Sequence, residues 1–267
     1  MVVAEAYQRR GERVLRVHLS LVYVFLYVPI LVLIFLSFNE AGLPTVWTGA
    51  SVKWYAALAS NETIQRAALN TLIVALSSTL IATTLGTLLA LGIEMRQKPN
   101  AALDALLFAP MIIPDIVLAI ALLSMFSLIE FTLGLHSIVM SHVVFNIAFV
   151  FAVVRTRLRS FDFSVIEASI DLGASAFTTF WRVTFPAIFP GVLAAALLAL
   201  TLSVDEFIIA FFVSGAGPSS QTLPMQIYSM IRFGVTPEIN ALATLVILFS
   251  FVALFISQRL NRGVITT

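Results

Sequence analysis

The stretch Ala67-ALNTLIVALSSTLIATTLGTLLALG-Ile93 lies between Arg66 and Glu94 and contains no formally charged residue. A helix needs about 20 mostly apolar residues to cross the roughly 30 Å hydrocarbon core of a bilayer, and this stretch exceeds that. Working outward, five others qualify: Val17–Phe38, Ala105–Ile129, Ser137–Val154, Ala187–Gly215 and Ile239–Ser257. Only the third, with Asp115, and the fifth, with Asp205 and Glu206, carry charge. Such long runs without regular short turns predict helices, not a membrane barrel. The expected class is an all-α polytopic membrane protein with six transmembrane helices, forming a single transmembrane domain over residues 1–267. The first run is too long for a signal-peptide core and lacks an A-x-A site, so it reads as an uncleaved span.

Composition agrees. Of 267 residues, 60% are hydrophobic and 11% charged, where a soluble domain carries about a quarter charged. A soluble enzyme, a disordered chain and a nucleic-acid partner are thereby disfavoured. The absence of Cys removes disulfides, thiolate metal sites and a cysteine nucleophile. His18, His136 and His142 show no metal-ligand spacing, and near membrane ends they read as hydrogen-bonded helix residues. No GxxxxGK[ST], HExxH or GxSxG motif occurs, so no catalytic residue is assigned and the chain is not itself an ATPase.

Positive charge sets the orientation. With a cytoplasmic N-terminus, the inner segments hold Arg9, Arg10, Arg13, Arg16, Arg96, Lys98, Arg155, Arg157, Arg159, Arg182, Arg259 and Arg262. The outer segments hold only Lys53, Arg66 and Arg232. An N-in, C-in topology follows. The outer segment Asn39–Arg66 carries Trp47, Trp54 and Tyr55, suited to an interfacial anchor or a docking surface. Residues 155–186 form the one sizeable cytoplasmic loop.

That loop is expected to be helical from about Ser164, to break at Gly173, and to resume with Leu172, Ala176, Phe180 and Val183 on one helical face. Pro186 is expected to end it. Ser164-x-x-Glu167 also fits a capping box, a second role open to the same acid.

Glu167-Ala168-Ser169, three residues, Gly173, nine residues and Val183-x-Phe185-Pro186 resemble the EAA loop of ABC-importer permeases, E-A-A-x3-G-x9-I-x-L-P. Ser169, Val183 and Phe185 depart from the pattern but keep size or apolarity. The resemblance extends along most of the chain. Ser37-Phe38-Asn39, Trp47-Thr48-Gly49, Trp54-Tyr55, Gly86-Thr87, Asp171-Leu172-Gly173-Ala174-Ser175, Leu202-Ser203-Val204-Asp205-Glu206-Phe207, Thr222-Leu223-Pro224 and Pro237-x-x-Asn240-Ala241 are similar to the spermidine/putrescine branch, most closely its second permease subunit. Two Asp usually stand where this chain has Asp205-Glu206.

The resemblance implies a type I importer permease of the bacterial inner membrane. Glu167, Ala168, Asp171, Gly173 and Pro186 would couple to a homodimeric cytoplasmic ABC ATPase, which binds ATP and Mg; this chain itself binds no cofactor. Further implied partners are a second homologous permease, an extracytoplasmic polyamine-binding protein and membrane lipid.

Ionisable groups at membrane depth usually face a bundle interior or an aqueous path. On straight helices rising about 1.5 Å per residue, Asp115 lies roughly 18 Å and Asp205 roughly 28 Å above the inner end. Pro110 and Pro114 make straightness a poor assumption for the third span. A polyamine needs carboxylates for its ammonium groups and aromatic faces for its stem. The candidate pathway residues are Asp115, Thr201, Asp205, Glu206, Phe207 and Tyr228. Two other readings stay open: Asp115 caps a helix restarted after Pro114, and Asp205 and Glu206 pair with Arg232 in an outer vestibule. At the level of function, permeases for other small solutes share the pattern. A stand-alone ion-coupled transporter fits the acids but leaves the Gly-centred loop unexplained.

Overall fold

A computed structural model describes residues 2–42, 46–96, 100–249 and 251. Among them the chain is helical and contains no β-strand. The elements are α1 (Val2–Leu36), α2 (Lys53–Ser60), α3 (Glu62–Glu94), α4 (Ala101–Ile112), α5 (Asp115–Leu128), α6 (Leu135–Arg159), α7 (Ser164–Asp171), α8 (Ala176–Thr179), a π-turn (Phe180–Thr184), α9 (Phe185–Asp205), α10 (Ile208–Val213), a 3-10 turn (Pro218–Ser220) and α11 (Leu223–Ile231). A further apolar helix, α12, covers Pro237–Phe249. The chain divides into two compact units, one of residues 1–61 with 229–267 and one of residues 62–228.

Four helical segments are long and apolar enough to cross a membrane: Val14–Leu36, Glu62–Glu94, Leu135–Arg159 and Ala176–Asp205. A bent pair, α4 with α5, makes a fifth if counted as one span. The sixth expected span lies partly outside the described residues, which take in α12 but not residues 252–257.

Several expected boundaries are corrected. The first helix starts well before Val17 and stops at Leu36, with Phe38 in a turn. Residues 105–129 are not one straight span, because α4 and α5 meet at 108°. Pro114 has no N–H to continue the ladder and forces Ile113 into an extended conformation (φ −70°, ψ 131°). The straight-helix depth for Asp115 therefore does not hold. The fourth span runs on past Val154 to Arg159, so the loop begins about a turn later than residue 155.

Arg155 extends that helix because its charge is met. Its guanidinium donates to Asp104 Oδ1 at 2.8 Å and to Glu94, tying α6 to the ends of α3 and α4. Arg159 approaches the same Glu94 oxygen at 3.5 Å.

The larger unit is built on α3, α6 and α9, which pack on one another. One apolar cluster joins them near Phe151, Leu158, Ile188 and Ala195. A second, with Phe126, Ile138, Phe145 and Ile209, brings in α5 and α10. Small residues permit the close approach: a Cβ on Gly86 would lie 2.7 Å from Val150 Cγ1. In the smaller unit, buried Asn39 organises the turn after α1. Its amide donates to the Val46 carbonyl at 2.8 Å, and its own carbonyl accepts from Trp54 Nε1 at 2.8 Å. Tyr55 shares a 2.6 Å hydrogen bond with Ser37, and Trp47 stacks on Phe35. These aromatic residues thus tie the segment that follows α1 to the end of that helix.

Gly86→Ala is expected to destabilise the protein by about 1–3 kcal/mol through overpacking. Adding Val150→Ala should recover part of that loss. Thermal unfolding of the purified protein in detergent checks both.

Candidate functional site

Two features carry candidate chemistry, a charged cleft and the loop between α6 and α9. Both lie within the larger unit.

The cleft forms where α9 breaks. The fifth expected span is not continuous to Gly215: α9 ends at Asp205, Glu206 is extended (φ −69°, ψ 120°), and α10 restarts at Ile208. The restart leaves backbone N–H groups without helical partners, and the Glu206 carboxylate takes them. Oε1 accepts from Ile209 N at 2.9 Å and Oε2 from Ala210 N at 3.1 Å. Glu206 thus serves as a side-chain cap for α10.

An open cleft of about 540 Å³ lies beside this break. Asp115, Thr201, Asp205, Glu206 and Phe207 all line it, with Phe145 and Phe149 of α6 on its wall. Asp115 stands in the first turn of α5, where a carboxylate suits the helix N-terminus, and Pro114 occupies the capping position. The same residue faces the cleft and acts electrostatically on Glu206. Thr201 Oγ1 donates to the Leu197 carbonyl within its own helix, leaving oxygen lone pairs to accept. Tyr228 is not a lining residue; its ring packs on Phe207 with centroids 4.7 Å apart. Arg232, considered as a partner for these acids, belongs to the other unit.

Sequence reasoning missed His142. It is 1% exposed on α6; its Nδ1 lies 2.6 Å from Ser203 Oγ, which lies 3.0 Å from Ser78 Oγ. Its Nε2 is 3.9 Å from Glu206 Oε2. It is a hydrogen-bonded helix residue, as expected, but one placed against the charged break. The available signal was an ionisable side chain inside a charge-free apolar run.

The loop is ordered by local chemistry. Asp162 Oδ1 accepts the Ser164 N–H at 3.0 Å and starts α7. Bonding to the Ser164 side chain, then to its N–H, holds the Asp162 carboxyl below the usual carboxylate range. Because Asp162 does this work and Ser164 is already helical, the expected Ser164–Glu167 capping box is not formed. Glu167 is exposed in the first turn, with Ala168 beside it. Asp171 is the last residue of α7.

The helix closes with a Schellman motif. Gly173 N donates to Ile170 O at 2.8 Å and Ala174 N to Ser169 O at 3.1 Å. Gly173 has φ +85°, a value that glycine adopts without a Cβ penalty. Ser175 then caps α8 through Thr178 N, and Ser169 bonds Thr179 at 3.0 Å to fold α8 back on α7. The expected shared face of Leu172, Ala176, Phe180 and Val183 is therefore corrected. Leu172 lies across the Gly173 break from the others and is 90% exposed.

Pro186 does not end the segment either. It is in the first turn of α9, and the helical run continues from Ala176 to Asp205. A proline at this position cannot bond to Arg182 O and crowds it; the wider π-turn just before it relieves that conflict. Among the described residues no cluster of His, Asp and Glu has the arrangement of a metal site.

The family described as "Binding-protein-dependent transport system inner membrane component" matches residues 82–266. The chain belongs to this family. It is 40% identical over 245 residues to the spermidine/putrescine transport system permease protein PotC of Escherichia coli K12, covering 91% of this chain and 92% of that protein. It is 37% identical over 256 residues to the putrescine transport system permease protein PotI of the same strain, covering 91% and 90%. A solved bacterial ABC transporter that imports the acidic polysaccharide alginate has a chain of the same fold, with TM-score 0.73, 18% identity and 98% of both chains covered. The MetNI methionine ABC transporter gives TM-score 0.60 at 20% identity over 75% of this chain and 93% of that one. As a family member the chain is a multi-pass membrane permease component and not the ATPase. The family match takes in α7, α9 and the acidic break, so both candidate features lie in the part these permeases share.

Asp162→Ala is expected to speed amide exchange in α7 about threefold at pH 7. The lowered carboxyl value means its contribution is complete above the unfolded value near 3.9 and is lost as pH falls through the folded value. The difference between variant and parent should therefore fade in acid, as hydrogen–deuterium exchange at two pH values would read.

Proposed function

We propose that this chain is one of two transmembrane subunits of an ATP-driven polyamine importer in a bacterial inner membrane. The observation that carries the reading is the cleft at the α9 break, where three carboxylates and phenylalanine rings meet in a chain 40% identical to a spermidine/putrescine permease. A polyamine is a flexible chain of ammonium groups, and it needs several negative oxygens at spacings it can span. Asp115, Asp205 and Glu206 supply the charge, Thr201 an acceptor, and Phe207, backed by Tyr228, an aromatic face.

In this reading the chain acts as a single transmembrane domain with six spans and both termini cytoplasmic, supported by the Lys and Arg placement. A second permease completes the pathway, and an extracytoplasmic binding protein delivers substrate. A homodimeric ATPase, using ATP and Mg, grips α7 through Glu167, Ala168, Asp171 and Gly173. Pro186 stands in the first turn of α9, the helix that carries the movement upward. The exposure of Glu167, freed from the capping role, supports this use of the side chain. ATP-driven closure opens the pathway outward, and hydrolysis resets it. A second reading is import of another small solute, since the MetNI methionine ABC transporter shares the fold.

The test is the reconstituted complex. ATPase activity should rise with binding protein loaded with putrescine or spermidine; a response only to non-polyamine solutes favours the second reading. Glu167→Lys should leave ATP hydrolysis running while uptake collapses, and unchanged uptake in that variant refutes the coupling role. Asp205→Asn should raise the half-saturating polyamine concentration about tenfold, the size of one lost charge-assisted contact. Unaltered uptake removes Asp205 from the pathway.

A further inference from the structure

His142 is not part of the cleft wall, yet its ring lies directly behind one of the acids that is. Its Nε2 makes no hydrogen bond, and the polar atom set opposite it is Glu206 Oε2 at 3.9 Å. The other ring nitrogen is fixed by Ser203, itself held by Ser78 of α3.

A hydrogen bond needs one proton, so Ser203 either donates to Nδ1 or accepts from it. If it accepts, the bare lone pair of Nε2 faces a carboxylate. If it donates, the hydrogen sits on Nε2 and points toward the Glu206 oxygen. The carboxylate favours the second arrangement, in which Ser203 donates to His142 and the single Ser78 hydroxyl hydrogen turns from the Ala75 carbonyl, 3.3 Å away, to Ser203 at 3.0 Å.

We propose that His142 is a positioning residue for Glu206, a role that rests on the reading of the cleft as the polyamine-facing site. Asp115, Asp205 and Glu206 share one small space, and like charges there repel. Two backbone N–H groups and the imidazole N–H draw the Glu206 carboxylate to one place and offset that repulsion. An imidazole at 3.9 Å acts as a dipole and not as a full hydrogen-bond partner. It orients the acid without installing a fixed cation that would compete with the substrate ammonium. A lysine or arginine at this position would do the opposite.

The experiment compares His142→Asn with His142→Gln in the complete complex in proteoliposomes, measuring uptake of labelled spermidine against concentration. Asparagine keeps a polar atom near the Nδ1 position and Ser203, but does not reach Glu206. Glutamine places an amide N–H near the Nε2 position. The asparagine variant should raise the half-saturating concentration about tenfold, with the maximal rate within about twofold of the parent. The glutamine variant should stay within about threefold of the parent concentration. Equal shifts in both variants, or losses confined to the maximal rate or to assembled complex, overturn the proposal. Glu206→Gln separates the two levels. If it transports normally, the cleft reading fails and His142 loses its role with it. If it is impaired while His142→Asn matches the parent, only the His142 proposal fails.

Discussion

The acceptance of the Ile209 and Ala210 N–H groups by Glu206 is the interaction on which the cleft depends. Inside a bilayer no water is at hand for open backbone groups, so a helix breaks there only where something else satisfies them. Glu206 does so for α10, and the break in turn exposes Asp205 and Phe207 beside it. A single side chain thus makes the irregular backbone tenable and contributes charge to the opening it creates. The bend at Pro114 is the counterpart on α5: it brings Asp115 to the same place by removing a donor instead of capping one.

Behind these breaks stands a regular scaffold. The close contact of α3, α6 and α9 relies on small residues such as Gly86 and Ala195, which let backbones approach where apolar burial offers little advantage over lipid. At the far end, Arg155 binds Glu94 and Asp104 and fixes three helices at the start of the loop. Regular packing between two polar clusters keeps the cleft and the loop in a defined relation along α6 and α9.

The helical class and most spans were legible in the sequence because length and absence of charge decide them, as Ala67–Ile93 illustrates. The break at Gly173 was legible because few residues other than glycine accept a left-handed turn. The candidate acids were legible because charge at membrane depth is rare, and all three lie in one cleft with Thr201 and Phe207. What escaped depended on tertiary partners. Val154 looked like a span end because Arg155 is charged, but ion pairs with residues 51 and 61 positions away carry the helix onward. Pro186 looked like a terminator because a π-turn that absorbs its missing N–H has no local signature. The capping box that Ser164 and Glu167 also suggested does not form, because Asp162 two residues upstream holds the first turn. The place of His142 against the charged break was not legible, because it comes from Ser203 of α9 and from Glu206 just beyond that helix.

The uninterrupted run from Ala176 to Asp205 has a mechanical consequence. Thirty residues at about 1.5 Å each make a rod of roughly 45 Å, softened at the π-turn and at Pro190. Its foot adjoins the Schellman turn, and its tip carries Asp205 at the rim of the acidic opening. A push or twist applied at the foot reaches that carboxylate along one helical run, without crossing a loop. The stiffness of the two soft joints then sets how much of any such displacement reaches the tip.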